Sequence, residues 1–144
     1  MLISACLIGQ NVKYNGKNNK LSNLKELRDK FELIPFCPEV EGGLPTPRAP
    51  SEIASFSPLK LINTDGEDVT EFFVKGANKA LNLCKKLSIK RAILKANSPS
   101  CGKDRVYDGT FSGRLIKGDG VAAWLLRKNG ISVYSEDEID LIPS

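Results

Sequence analysis

A chain of 144 residues, 41% hydrophobic and 26% charged, has the size and make-up of one soluble globular domain spanning residues 1–144. It contains no apolar run near the ~20 residues that cross a bilayer, and its first residues lack the basic start of a signal peptide, so a cytoplasmic protein is expected. The net charge of +4 comes from scattered lysines rather than a dense basic stripe, which argues against a nucleic-acid binder, and the absence of histidine removes His-dependent triads, His-ligated zinc and imidazole acid–base chemistry.

The first expected strand, Leu2 to Ala5, is a short apolar run that stops at Cys6. Val12-Lys13-Tyr14 reads as a short extended piece closed by the turn Asn15-Gly16. Leu24, Leu27 and Phe31 recur at helical spacing, which predicts an amphipathic helix over 21–31 with Ser22 as N-cap. Leu33 to Phe36 should be a strand ending at Cys37, and Pro35 places it at the sheet edge. Three prolines, Gly42-Gly43 and Arg48 predict an ordered, irregular loop over 42–50. A strand is expected at Leu59 to Ile62, then a turn at Asp65-Gly66. The longest helix is predicted over 69–87, started by a capping-box-like Asp68 and Glu71. Its apolar face would hold Val69, Phe72, Phe73, Ala77, Ala80, Leu81, Cys84 and Leu87. Ala92 to Leu94 should be a buried strand followed by the loop 95–102, and Val106-Tyr107 leads to a turn at Asp108-Gly109. A last helix over 119–129 should bury Val121, Trp124 and Leu125 and stop at Gly130, before a strand over 131–134. Strands alternating with helices predict an α/β domain: a mostly parallel sheet with helices packed on its faces.

Four cysteines in a cytoplasmic chain point to metal binding, catalysis or burial rather than disulfides. Cys6, Cys37 and Cys101 each follow an apolar run and sit in or beside a Gly- or Pro-containing loop. Parallel strands carry such positions to one rim, where open α/β sheets bind ligands. Cys84 instead falls on the apolar face of a helix, the setting of a small structural hydrophobe. Three thiolates suit a zinc ion only with a fourth ligand. They suit a 4Fe–4S cluster with one iron left open. Without a compact ligand motif, three unrelated free cysteines remain a third reading.

The motifs around those cysteines carry a resemblance. Cys6-Leu7-Ile8-Gly9 with Val12 to Gly16 comes first, then Cys37-Pro38-Glu39-Val40 with Gly42 to Arg48. Ser98-Pro99-Ser100-Cys101-Gly102 and Tyr107 to Phe111 follow. Together, from about residue 3 to residue 135, they resemble a bacterial family long catalogued as a domain of unknown function whose characterised members are thiouracil desulfidases. The resemblance implies a 4Fe–4S cluster held by Cys6, Cys37 and Cys101 at the C-terminal ends of strands, with one open iron. It also implies replacement of the thiocarbonyl sulfur of a thiolated base or nucleoside, such as 2-thiouracil, by oxygen without net redox change. Glu41 departs from the small or apolar residue expected there and competes with Glu39.

Such chemistry needs a sulfur acceptor, a water nucleophile and a group to manage protons. Glu39, two residues after Cys37, is the expected base. Ser98 and Ser100 are the hydroxyl candidates, with Ser98 ranked first because the neighbour of a ligand more often faces away. Arg48 could hold a substrate carbonyl or form a buried salt bridge with Glu39. Tyr14 and Tyr107 could stack on a ring, and Asn97 could bond its edge. Two other classes compete: a non-catalytic iron–sulfur or zinc module that senses redox state or docks a partner, and a cluster-free small-molecule binding domain.

Overall fold

In the computed structural model, which describes residues 1–143, four short strands form a fully parallel sheet. They are β1 (Leu2–Ser4), β2 (Ile34–Phe36), β5 (Arg91–Leu94) and β8 (Ser132–Ser135), in the order β2-β1-β5-β8. Neighbouring side chains point to opposite faces. Thus Leu2, Ala92, Leu94 and Val133 pack with one buried layer, while Ile3 and Ile93 pack with another. Pro35 lies in β2, an edge strand, where its missing N–H costs no ladder bond.

The first layer is covered by α3 (Thr70–Lys86) and α4 (Val121–Lys128). The second is covered by α1 (Leu24–Lys30) and a C-terminal 3-10 turn, Glu136–Leu141, through Leu27, Ile139 and Ile142. A fourth helix, the single turn α2 (Pro38–Glu41), follows β2 directly. Two hairpins, β3 (Ser51–Phe56) with β4 (Leu59–Asn63) and β6 (Arg105–Tyr107) with β7 (Leu115–Lys117), add their own buried cluster. Ile53, Leu61, Phe73, Val106 and Ala122 meet there.

Several local expectations need correction. Residues 12–14 form turns and bends rather than a strand. The first helix starts at Leu24 after Asn23, so Ser22 is not its cap. Asp68 caps α3 through the Thr70 amide and hydroxyl, with Val69 at the N-cap, so no capping box with Glu71 forms. Phe72 and Leu87 stand on the exposed side of α3, whose buried stripe is completed instead by Gly76. Trp124 is 51% exposed, its ring covered by the Lys128 ammonium at 4.7 Å. The buried face of α4 is Val121, Ala122, Ala123 and Leu126, because the close approach to the sheet admits small side chains.

Candidate active site

β1 and β5 are neighbours, yet the chain leaves β1 toward β2 on one side and reaches β5 on the other. This is a topological switch point, the place where open parallel sheets leave a crevice beyond their strand ends. Cys6 lies in the 3-10 turn Ala5–Ile8 after β1, Cys37 directly follows β2, and Cys101 lies in the loop after β5. Each thiol feels its neighbours. Cys6 is repelled by Cys37, and Cys101 by both Cys37 and Cys6. Cys84 is buried in α3, and burial pushes its thiol up.

Burial pushes the Cys6 and Cys37 thiols up from their usual range, and Cys101 up to about 12. The groups pulling the other way are hydrogen-bond donors and, for Cys6 and Cys37, the charges of Lys95 and Arg48. Asn19 Nδ2 donates to Cys6 Sγ at 3.5 Å. Cys37 is the N-cap of α2, and the first amides of that turn, at Val40 and Glu39, draw its thiol down. Ser4 and Ser100 draw the Cys101 thiol down, with Ser100 Oγ 3.6 Å from its sulfur. Donors aimed at sulfur serve a thiolate, and a positively charged centre between the three would supply what burial withholds.

The donor set also limits what the centre can be. Three thiolates on one zinc ion, at ~2.3 Å each, must lie within about 4 Å of one another. Among the described residues, no three Cys, Asp or Glu side chains converge to hold a single ion. Three soft donors on one rim fit a polynuclear iron–sulfur group, whose ligands sit on separate irons.

A chain of polar groups runs along the same rim. Arg48 Nε meets Glu39 Oε1 at 3.1 Å, with both side chains largely buried. Ser100 Oγ donates to Glu39 Oε2 at 2.8 Å, and the Ser98 hydroxyl lies 2.9 Å from Ser100 Oγ. Ser98 Oγ also accepts from the amides of Ser100 and Cys101, which folds the loop into a tight turn. The serine touching the carboxylate is therefore Ser100, although sequence order ranked Ser98 first. The carbonyls of Pro99 and Ser100 are held by the first amides of α4, from Val121, Ala122 and Ala123. Gly120 permits this approach: a Cβ there would lie 2.6 Å from the Ser100 carbonyl carbon.

Arg48 uses four of its five N–H groups within the protein, on Glu39, Pro45 O, Thr46 Oγ1 and Val12 O. Glu41 is exposed at the end of α2. Asn97 immediately precedes Ser98 in a left-handed conformation, φ 66°, bridged to Val106. Tyr107 is half-buried in β6, and Tyr14 is 45% exposed, its carbonyl accepting from the Arg48 amide. Asn19, Ser4, Lys95 and Glu136 also belong to this rim, and no spacing or motif marked them. A cleft of about 580 Å³ lies at the opposite end of the sheet between Met1, Phe31 and Arg91.

The sequence profile of the family described as 2-thiouracil desulfurase matches residues 1–138. The chain belongs to this family. It is similar to the Bacillus subtilis (strain 168) protein named Uncharacterized protein YbbK, 41% identical over 97% of this chain and 97% of that one. It is also similar to a solved structure, the 4Fe-4S-dependent thiouracil desulfidase TudS. There the identity is 43%, the TM-score is 0.91, and the match covers 98% of this chain and 93% of the other. The likeness confirms the α/β fold expected from the alternating strands and helices. No helix among the described residues of this desulfurase-family chain is long and apolar enough to cross a membrane.

Proposed function

We propose that this protein is a cytoplasmic desulfidase that replaces the thiocarbonyl sulfur of a small thiolated pyrimidine, such as 2-thiouracil, by oxygen from water. Three thiols and a serine-bound carboxylate on one rim carry this reading. It is supported by membership of the family and by the likeness to TudS. Cys6, Cys37 and Cys101 would hold the 4Fe–4S cluster. When bound, the cluster supplies an open, sulfur-loving iron that polarises a C=S bond.

The chain's own residues do the rest. Glu39 takes a proton from the attacking water at Oε2 and returns it to the departing sulfur, which leaves as hydrosulfide while the second water proton goes to solvent. The Ser100 hydroxyl, 2.9 Å from Ser98 Oγ, donates to Oε2 and orients it. Arg48 holds Oε1, so the carboxylate cannot rotate. Asn97 would bond the ring edge, and Tyr14 and Tyr107 would offer faces for stacking. A zinc module is not favoured, because the matching family is described as 2-thiouracil desulfurase and the solved relative as a 4Fe-4S-dependent thiouracil desulfidase.

The test is anaerobic reconstitution followed by turnover of 2-thiouracil in isotopically labelled water. Label in the uracil product and release of sulfide without added reductant are expected. Cys6→Ser, Cys37→Ser and Cys101→Ser should each lose the brown chromophore, whereas Cys84→Ala should keep it. Turnover by cluster-free protein would rule the proposal out.

A further inference from the structure

Four asparagines, Asn11, Asn15, Asn18 and Asn19, crowd the segment that follows the Cys6 turn. Three of them spend their side chains on the segment itself. Asn11 Oδ1 accepts from Asn18 Nδ2 at 2.9 Å, Asn15 Oδ1 from the Lys17 amide at 3.0 Å, and Asn18 Oδ1 from the Lys20 amide at 3.0 Å. The half-buried Asn19 is aimed elsewhere: its Nδ2 donates to Cys6 Sγ at 3.5 Å. The backbone fixes that aim. The Asn19 amide donates to the Cys6 carbonyl at 2.9 Å and the Leu21 amide to the Leu7 carbonyl at 2.9 Å, which lays residues 19–21 along residues 6–7.

The other two rim cysteines have donors close by in the chain. Cys37 caps α2 beside its first amides, and Ser100 Oγ lies 3.6 Å from the Cys101 sulfur. Around Cys6 the amides of the turn are spent on carbonyls, Gly9 on that of Cys6 and Gln10 on that of Ala5. Its sulfur is served instead from 13 residues further along. A thiolate on iron keeps part of its negative charge, and an N–H aimed at it draws charge from the metal and favours the reduced state. The same bond holds the ligand in one orientation. We propose that Asn19 is a positioning residue of the site, which fixes the Cys6 sulfur on its iron and weakens that sulfur as an electron donor. The consequence is a cluster held more firmly, with an open iron more attractive to a thiocarbonyl sulfur. This rests on the desulfidase reading.

An asparagine that only stitched the segment together would be matched in effect by its neighbour Asn18. A bond to the ligand sulfur separates the two. The experiment compares the full chain as wild type, Asn19→Leu and Asn18→Ala, reconstituted anaerobically to matched iron and acid-labile sulfide content. Leucine keeps the size of asparagine without its donor, and Asn18→Ala loosens the segment without touching the sulfur. The cluster midpoint potential is measured, with the rate at which a chelator strips the iron. Asn19→Leu should have a more negative potential and lose iron about 10-fold faster. Asn18→Ala should keep the wild-type potential. A wild-type potential in Asn19→Leu, whatever its rate of iron loss, or an equal shift in Asn18→Ala, overturns the proposal. Should Asn19→Leu fail to load, the reduced wild type labelled with isotopic nitrogen in its asparagine side chains decides. A hyperfine coupling from such a nitrogen to the cluster is expected, and its absence overturns the proposal. A wild type that turns over thiouracil while Asn19→Leu matches it in potential removes only the asparagine's role. A wild type that takes up no cluster removes the desulfidase reading and this inference with it.

Discussion

Glu39 and Glu41 share one helical turn, but their surroundings differ completely. Glu39 is held between a guanidinium and a serine hydroxyl, whereas Glu41 is exposed. Glu39→Gln should therefore keep its cluster and lose turnover by roughly 10²–10⁴-fold, the range for a missing general base. Glu41→Gln should stay near wild type; steady-state rates at matched iron content decide between them. The two serines show what residue types alone leave open. Ser98 and Ser100 have the same chemistry and almost the same sequence context. Which one meets Glu39 follows from the turn that Ser98 makes with the amides of Ser100 and Cys101. Asn19 and Ser4 were illegible for a related reason: a polar residue that serves a sulfur from another segment carries no local pattern.

At the scale of elements, periodicity located α3 and α4, and short apolar runs located the four sheet strands. It did not locate β3 or β7, which are hairpin strands of mixed polarity, nor the single turn α2. It also misjudged faces, since Phe72 and Trp124 fit an apolar stripe that the tight packing fills with glycine and alanine. That packing is closest where α2 meets α3. A Cβ on Gly76 would lie 1.8 Å from the Pro38 carbonyl oxygen, and one on Gly42 would lie 2.0 Å from that of Phe72. Because Cys37 caps α2, the contact positions a candidate ligand as well as a helix. Gly76→Ala should destabilise the fold by about 1–3 kcal/mol and lower cluster occupancy. Urea unfolding and iron analysis would check both, and wild-type values in each would show that the helix pair has room to spare.

Over the whole molecule, ion pairs bind the last segment of the chain to the loop that carries Cys101. Lys95–Glu136 and Lys103–Glu138 stand at its two ends, and Arg127 joins Asp104 to Asp119 nearby. The Ser135 amide and Lys103 hold Glu138 below its ordinary 4.5, and Arg127 holds Asp104 below 3.8. Groups depressed on folding stabilise the protein above their unfolded values, and that stability disappears as pH falls through the folded ones. Acid titration should thus show a loss beginning near pH 4.5. Glu138→Gln should reduce its amplitude by less than about 1 kcal/mol, since the pair is partly exposed. A pH–stability curve unchanged in Glu138→Gln would mean that the pair contributes nothing. The overall architecture was legible in the order of elements, but these closing contacts were not, because they join segments far apart in sequence.

The crossing of β5 beside β1 also sets a timetable for biosynthesis. Cys6 and Cys37 leave the ribosome early and can meet through the pairing of β1 with β2. The third thiol waits for β5, its loop waits for the amides of α4, and Glu136 closes the corner only after β8. A half-made chain offers two sulfurs and no enclosure, so iron delivered during translation would find an unfinished, oxidisable nest. A cluster on these thiols would therefore be loaded only once β8 and Glu136 have been made.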